Sequence, residues 1–156
     1  MAVELYTIGF AGKSAEQFFA ALTKPGIQCL LDVRRSNNTL FCGFTRARDL
    51  PFFLERLGGI GYVHEPDFAP SLELLRHHQK RLKKKDRLVD AWAEFVARFS
   101  EELAARPVCE LFRRHVSGKA RLCFLCAEAS PAHCHRRLLA EHIVAHCDGT
   151  ARIVHL

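Results

Sequence analysis

Two stretches, IQCLLDVRRS (27–36) and ARLCFLCAE (120–128), are near-continuous apolar runs. A strand with one wet face alternates between apolar and polar residues. Runs like these need cover on both faces, the condition of strands inside a parallel sheet flanked by helices. ELYTIGF opens the chain as another strand, with Gly9 and Gly12 marking the turn behind it. SAEQFFAALTKPG follows as a helix, with Ser14 as N-cap, Gln17 three positions on and Pro25-Gly26 as its stop. NNTLFCGFTRARDL is a long loop, a length often associated with function.

Beyond that loop come a helix at DLPFFLERL, a GGIG turn and a short strand YVHE. SLELLRHHQKRL and LVDAWAEFVARFSEELAARP read as helices. In the second, Leu88, Trp92, Phe95, Val96, Phe99 and Leu103 form one apolar stripe, which is the mark of core packing. PVCELFRRHV is a further helix, SPAHCHRRLLAEHIVAHC the last one, and ARIVHL a closing strand. The alternation predicts an α/β fold over residues 1–156 as one domain. Its sheet is mainly parallel, of about five strands, with helices on both faces and a helical insert between strands three and four.

No run reaches the length of a membrane span, and MAVELYTIGFAGKS lacks the basic start and cleavage pattern of a signal peptide. A cytoplasmic location is therefore expected. Seven cysteines with irregular spacing then predict thiols rather than a disulfide framework, with Cys29, Cys109 and Cys123 as small core residues. The net charge of +6 owes much to KRLKKKDR (80–87). Such a surface attracts acidic partners, nucleic acid among them, but a lysine run without interleaved aromatics is first of all a solvated helix face.

Ligands of open parallel sheets bind outside the carboxyl ends of the strands. Those ends carry Asp32, Arg34 and Arg35 on the second strand, His64 on the third, and Cys126 and Glu128 on the fourth. Ser130-Pro131 fits an N-cap and first helical position, which would aim free amides at the turn after Cys126 and depress its thiol pKa. Cys134, His135 and Arg136 follow at once. Cys126 is thus a candidate nucleophile, with a buried packing thiol as the plain alternative. His135 and His64 are candidate proton-transfer groups, and Glu128 could orient His135 or Arg136. Asp32, Arg34, Arg35, Cys134 and Arg136 are candidate ligand-binding residues, Arg34 and Arg136 as an anion clamp. An Asp32–Arg34 pair of purely structural value is the plain alternative there.

Sharper motifs fail on spacing. Cys123 and Cys126 are an odd number of residues apart on a strand, so they point to opposite faces and suit neither a redox pair nor a zinc knuckle. The fifth residue after Cys126 is not followed by the arginine of a phosphatase loop. Zinc on Cys126, Cys134 and His135, or His133, is chemically sound but lacks a second close-spaced ligand pair, so no metal is assigned. His142 and His146 sit near a helix C-terminus, where protonated histidine is favoured without any ligand. No motif calls for an organic cofactor.

The pieces YTIGF, LLDVRRS, GIGYVHEPDFAP, LCAEASPAHCHRRLLAEHI and IVHL resemble domain-of-unknown-function family 488, a group of small, mostly bacterial proteins. The resemblance spans nearly the whole chain. By match to the family's motifs it carries over Asp32, Arg34, His64, Pro66, Cys126, Glu128, Cys134, His135 and Arg136, and it implies an enzyme of unassigned reaction. SNNTLFCGF and DFAP depart from the family's usual residues and mark a subgroup. LLDVR is also similar to a strand of rhodanese-type sulfurtransferases, without their cysteine loop.

The expected function is a thiol-dependent transferase or hydrolase with a Cys/His/Arg site binding a small anionic, phosphate-containing ligand. A nucleic-acid-binding or repair-associated module using Arg34, Arg35 and the basic run is one alternative. A zinc-stabilised structural or regulatory domain is the other. Membrane partners are not expected, and the residues do not specify an oligomeric state.

Overall fold

The apolar runs form the inner strands of a sheet. The computed structural model describes residues 2–84 and 88–156, apart from the side chains of Leu88, Thr150 and Ala151. Among the described residues five strands, β1 (Val3–Gly9), β2 (Cys29–Asp32), β3 (Gly61–His64), β4 (Arg121–Cys126) and β5 (Thr150–His155), pair in the order β3-β2-β4-β1-β5. Every pairing is parallel. β2 is buried throughout, and β4 in all but its first residue, as strands covered on both faces must be.

Helices α1 (Ala15–Thr23) and α2 (Leu50–Gly58) cover one face, where Phe18, Phe19, Leu22, Leu50 and Leu54 pack on Tyr6, Ile8, Leu30, Cys123 and Leu125. The other face carries α3 (Leu72–Lys83), α4 (Leu88–Ala105), α5 (Val108–Val116) and α6 (His135–His146). There Leu74, Phe95, Phe99, Phe112 and Leu139 pack on Leu5, Leu31, Leu122 and Phe124. The fold class is thus as the alternation predicts, with α3 and α4 in the insert between β3 and β4.

Local chemistry accounts for the element ends. Ser14 and Gln17 form a reciprocal capping box at α1, with bonds of 3.2 and 2.9 Å. Pro51 opens α2, and Gly59 closes it in the left-handed region at φ +60°. Ser71 Oγ caps α3 through the Leu74 amide. Lys80, Arg81 and Lys83 lie in the last turn of α3, where cations oppose the helix dipole. Arg81 and His77 also reach Glu94 on α4, so part of the basic run ties two helices together. Lys85, Asp86 and Arg87 of that run lie outside the described residues.

Two expectations are corrected. The last helix begins at His135 with Cys134 as its N-cap, not at Ser130. Ser130 Oγ instead accepts from the Ala132 amide within the preceding turn, and Cys134 is extended (φ −130°, ψ 136°), so the helix cannot start earlier. The cysteines are also not all thiols: Cys109 of α5 is joined to Cys147, the C-cap of α6, by a disulfide. Spacing could not reveal this, because the pairing depends on how α5 and α6 lie side by side. Cys29 and Cys123 are free and buried, as core residues should be.

No helix among the described residues is long and apolar enough to cross a membrane.

A buried thiol, imidazole and carboxylate cluster as the candidate functional site

Parallel register brings the strand ends level. Gly9 pairs with Cys126, and Asp32 with both Leu125 and His64, so all four strands finish at one edge. β2 leads to α2 on one face and β4 to α6 on the other. The gap between their carboxyl ends is therefore the switch point, where such sheets bind ligands. Cys126 stands at this gap on the α6 side, while Cys123 points into the opposite core, the two faces that an odd separation requires.

Four of the expected residues meet there. Cys126 Sγ donates to Glu128 Oε2 at 2.9 Å, and Cys134 Sγ donates to the same oxygen at 3.1 Å. His135 lies alongside, its Nδ1 3.6 Å from Cys126 Sγ. Its Nε2 is 2.9 Å from the Val33 carbonyl oxygen, which can only accept. Nε2 therefore carries a proton and Nδ1 is the free nitrogen of the neutral ring; with Nε2 3.8 Å from the same sulfur, the ring lies beside Cys126 and no single nitrogen is aimed at it. Cys126, Cys134 and His135 are 3%, 1% and 9% exposed.

Electrostatics follow from burial and these bonds. Burial opposes the charge on Glu128. Hydrogen bonds from Cys126 and Cys134 and the nearby His135 outweigh it and hold the carboxyl below its ordinary range. The neighbouring Cys126, and then burial, push the Cys134 thiol well above its ordinary value.

The arginines do different work. Arg136 is fully buried, and its guanidinium donates to the Glu128 and Ala129 carbonyls, to Thr7 Oγ1 and to Cys134 Sγ at 3.3 Å. It fastens the β4–α6 loop to the end of β1. Arg34 makes a two-pronged pair with buried Asp32 (2.8 and 2.6 Å) and donates to the Thr45 carbonyl at 2.7 Å. Burial works against its charge, but Asp32 more than compensates and raises its pKa. Arg35 donates to the Ala69 and Pro70 carbonyls. His64 Nε2 lies 2.8 Å from the Arg34 carbonyl. Arg35 and His64 meet backbone carbonyls at the edge of the sheet, while Arg34, paired with Asp32, lies near enough to Cys126 to interact with it by charge.

The cluster opens onto a cleft of about 320 Å³ between α3, α4 and the β4–α6 loop. Glu128 and His135 line one side, and Leu75, His78, Trp92, Phe95 and His133 line the rest. The His133 ring meets Trp92 edge-on at 5.1 Å, and Trp92 stacks on Phe95 at 5.2 Å. Among the described residues the Nδ1 of His78 is buried with no hydrogen-bond partner. Sequence reading passes over His78 and Trp92, since their position depends on the packing of α3 against α4. The one available signal is that Trp92, the chain's single tryptophan, is the largest residue of its stripe. A separate apolar groove of about 370 Å³, lined by Phe19, Phe44, Phe53 and Leu57, lies on the opposite face, away from this chemistry.

No curated protein and no solved structure matches the chain. A family model described as "Domain of unknown function DUF488" matches residues 14–143, which takes in the insert, β4 and the whole Cys/His cluster. The chain belongs to the DUF488 family.

Proposed function

We propose that this protein is a thiol-dependent enzyme in which Cys126 attacks an electrophilic centre of a substrate lodged in the aromatic cleft. The observation that carries the reading is the Cys126–His135 pair, with the imidazole fixed from behind. Because Nε2 is held on the Val33 carbonyl, Nδ1 is the basic atom, and it lies 3.6 Å from the sulfur. On attack, the S–H proton passes to Nδ1 and a sulfur electron pair forms the new bond. The leaving group departs with its own pair and recovers the proton from the imidazolium. Glu128 accepts from Cys126 in the resting state and stabilises the imidazolium by charge. Cys134, whose thiol the neighbouring Cys126 and burial push well above its ordinary value, is a neighbour and not the nucleophile.

The same geometry revises the ligand class. Most hydrogen-bonding groups of Arg34 and Arg136 are turned onto protein acceptors, which leaves them less to offer an anionic ligand directly. The cleft walls combine apolar and aromatic side chains with the imidazoles of His78, His133 and His135 and the polar groups of Gln79 and Glu128. A substrate with a flat or apolar body and a hydrogen-bonding group reaching His78 or His133 fits them better.

The test needs no substrate. With the protein held in chelator, iodoacetamide labelling mapped by mass spectrometry should find Cys126 modified before the more exposed Cys42. His135→Gln should slow Cys126 labelling by at least about tenfold. Labelling of Cys126 no faster than Cys42 would remove it as the nucleophile.

A further inference from the structure

The two thiols and the imidazole are arranged around a common point. Their ligand atoms, Cys126 Sγ, Cys134 Sγ and a ring nitrogen of His135, all lie within 4.8 Å of one another. A tetrahedral zinc site has bonds of about 2.3 Å to sulfur and about 2.0 Å to nitrogen, which places its ligand atoms roughly 3.5–3.8 Å apart. The Cys126 Sγ to His135 Nδ1 distance of 3.6 Å already has that value. Closing the widest pair takes about an ångström of side-chain movement and no backbone rearrangement. We propose that Cys126, Cys134 and His135 hold a single thiophilic divalent cation of the zinc class, with the fourth position turned toward Glu128 and the cleft.

Three further observations support this reading. First, a histidine that ligates a metal usually donates its other ring N–H to a backbone carbonyl or a carboxylate. His135 does this to Val33, 102 residues away in sequence, and so leaves Nδ1 as the nitrogen free to bind. Second, both thiol protons converge on one carboxylate oxygen. A dication in their place would release them and be neutralised by the two thiolates, leaving Glu128 as a fourth ligand or as a base beside a bound water. Third, Arg136 donates to Cys134 Sγ at 3.3 Å, the kind of N–H···S bond that stabilises a ligating thiolate.

The inference builds on the thiol-centred reading of the same site. In the metal-free site the two sulfurs share Glu128 as acceptor and Cys126 is available to a substrate. A bound cation would take both sulfurs as ligands and withdraw Cys126 from attack, so metal release would switch the thiol chemistry on.

Cobalt(II) and zinc titrations of chelator-stripped protein test the proposal. One cobalt ion per chain is expected, with sulfur-to-cobalt charge-transfer absorption and visible bands of tetrahedral intensity. Zinc should displace it, and loading should release about two protons. Cys134→Ser and His135→Ala should lose these bands, whereas Cys42→Ser should keep them. Where a ligand variant fails to fold, the wild-type protein decides: bound zinc should shield Cys126 and Cys134 from alkylation while Cys42 still reacts. Absence of stoichiometric cobalt bands in folded wild-type protein, or equal alkylation with and without zinc, overturns the metal site. The two readings fail separately. A fast-reacting Cys126 in protein that takes up no metal leaves the nucleophile and sinks the cation. Metal uptake with an inert Cys126 does the reverse.

Discussion

Asp32 shows how a single side chain can hold a sheet edge together. It ends β2, fully buried, and accepts the two-pronged bond of Arg34 and the hydroxyl of Tyr62 at 2.8 Å. Asn37 donates to the same hydroxyl, linking the long loop after β2 to this network. Burial, with the Asp32 charge against its ring, raises the Tyr62 pKa from 10.0 to about 12. The raised value fixes the sign of a pH effect. Unfolded chain loses the Tyr62 proton near pH 10 while folded chain keeps it, so the tyrosine's contribution is intact below pH 10 and is lost as pH climbs toward 12. Urea melts across that window should show stability falling with pH, and Tyr62→Phe should flatten part of the slope. An unchanged slope in the variant would mean that Tyr62 is not the group responsible. The ion pair of Asp32 and Arg34 is visible in sequence only as a possibility. What completes its surroundings is the arrival of Thr45 and Tyr62 from positions 11 and 30 residues further on.

Much of the candidate site lies within one strand–turn–helix element, and that is why so much of it is legible in the sequence. Cys126, Glu128, Cys134 and His135 sit within nine positions of each other, and a parallel strand end puts them at the edge where ligands bind. The start of α6 is less legible. Ser130-Pro131 has the right residue types for a helix start, but types do not reveal that the serine serves a local turn. The contributions of β1 and α4 are not legible at all, because they depend on packing between elements far apart in sequence. Gly9 is the clearest case. A Cβ there would stand 1.7 Å from the Glu128 carbonyl oxygen and 2.9 Å from Arg136 Nη1, so only glycine lets β1 approach the loop this closely. Gly9→Ala must push the Glu128 loop outward. The expected cost is about 1–3 kcal/mol in thermal or urea melts, together with an altered rate of Cys126 alkylation as Glu128 leaves its thiols. A variant that matches the parent in both would show that the loop yields freely.

At the scale of the molecule, the two faces of the sheet are unequally loaded. α1 and α2 cover one face in a tight aromatic cluster in which Phe18, Phe19 and Phe44 lie within 5.8 Å of one another. The other face carries four helices, three of which belong to the insert between β3 and β4 and bring Trp92 and His78 to the site. The wall of the cleft is therefore only as firm as the packing of that insert on α6. The Cys109–Cys147 disulfide crosses this boundary, joining the start of α5 to the end of α6. It closes a loop spanning 38 residues that contains all of β4 and the Cys/His cluster. Loop-closure entropy for that length gives a stabilisation of about 4 kcal/mol as an upper figure. Reduction by dithiothreitol should therefore lower the melting temperature, and the Cys109→Ala/Cys147→Ala double variant should melt at the reduced value whether or not reductant is present. Identical melting before and after reduction, with the free thiols verified by mass, would show that packing alone holds α5 on α6. In that case the insert needs no covalent tie to keep Trp92 and His78 in the cleft beside Glu128 and His135.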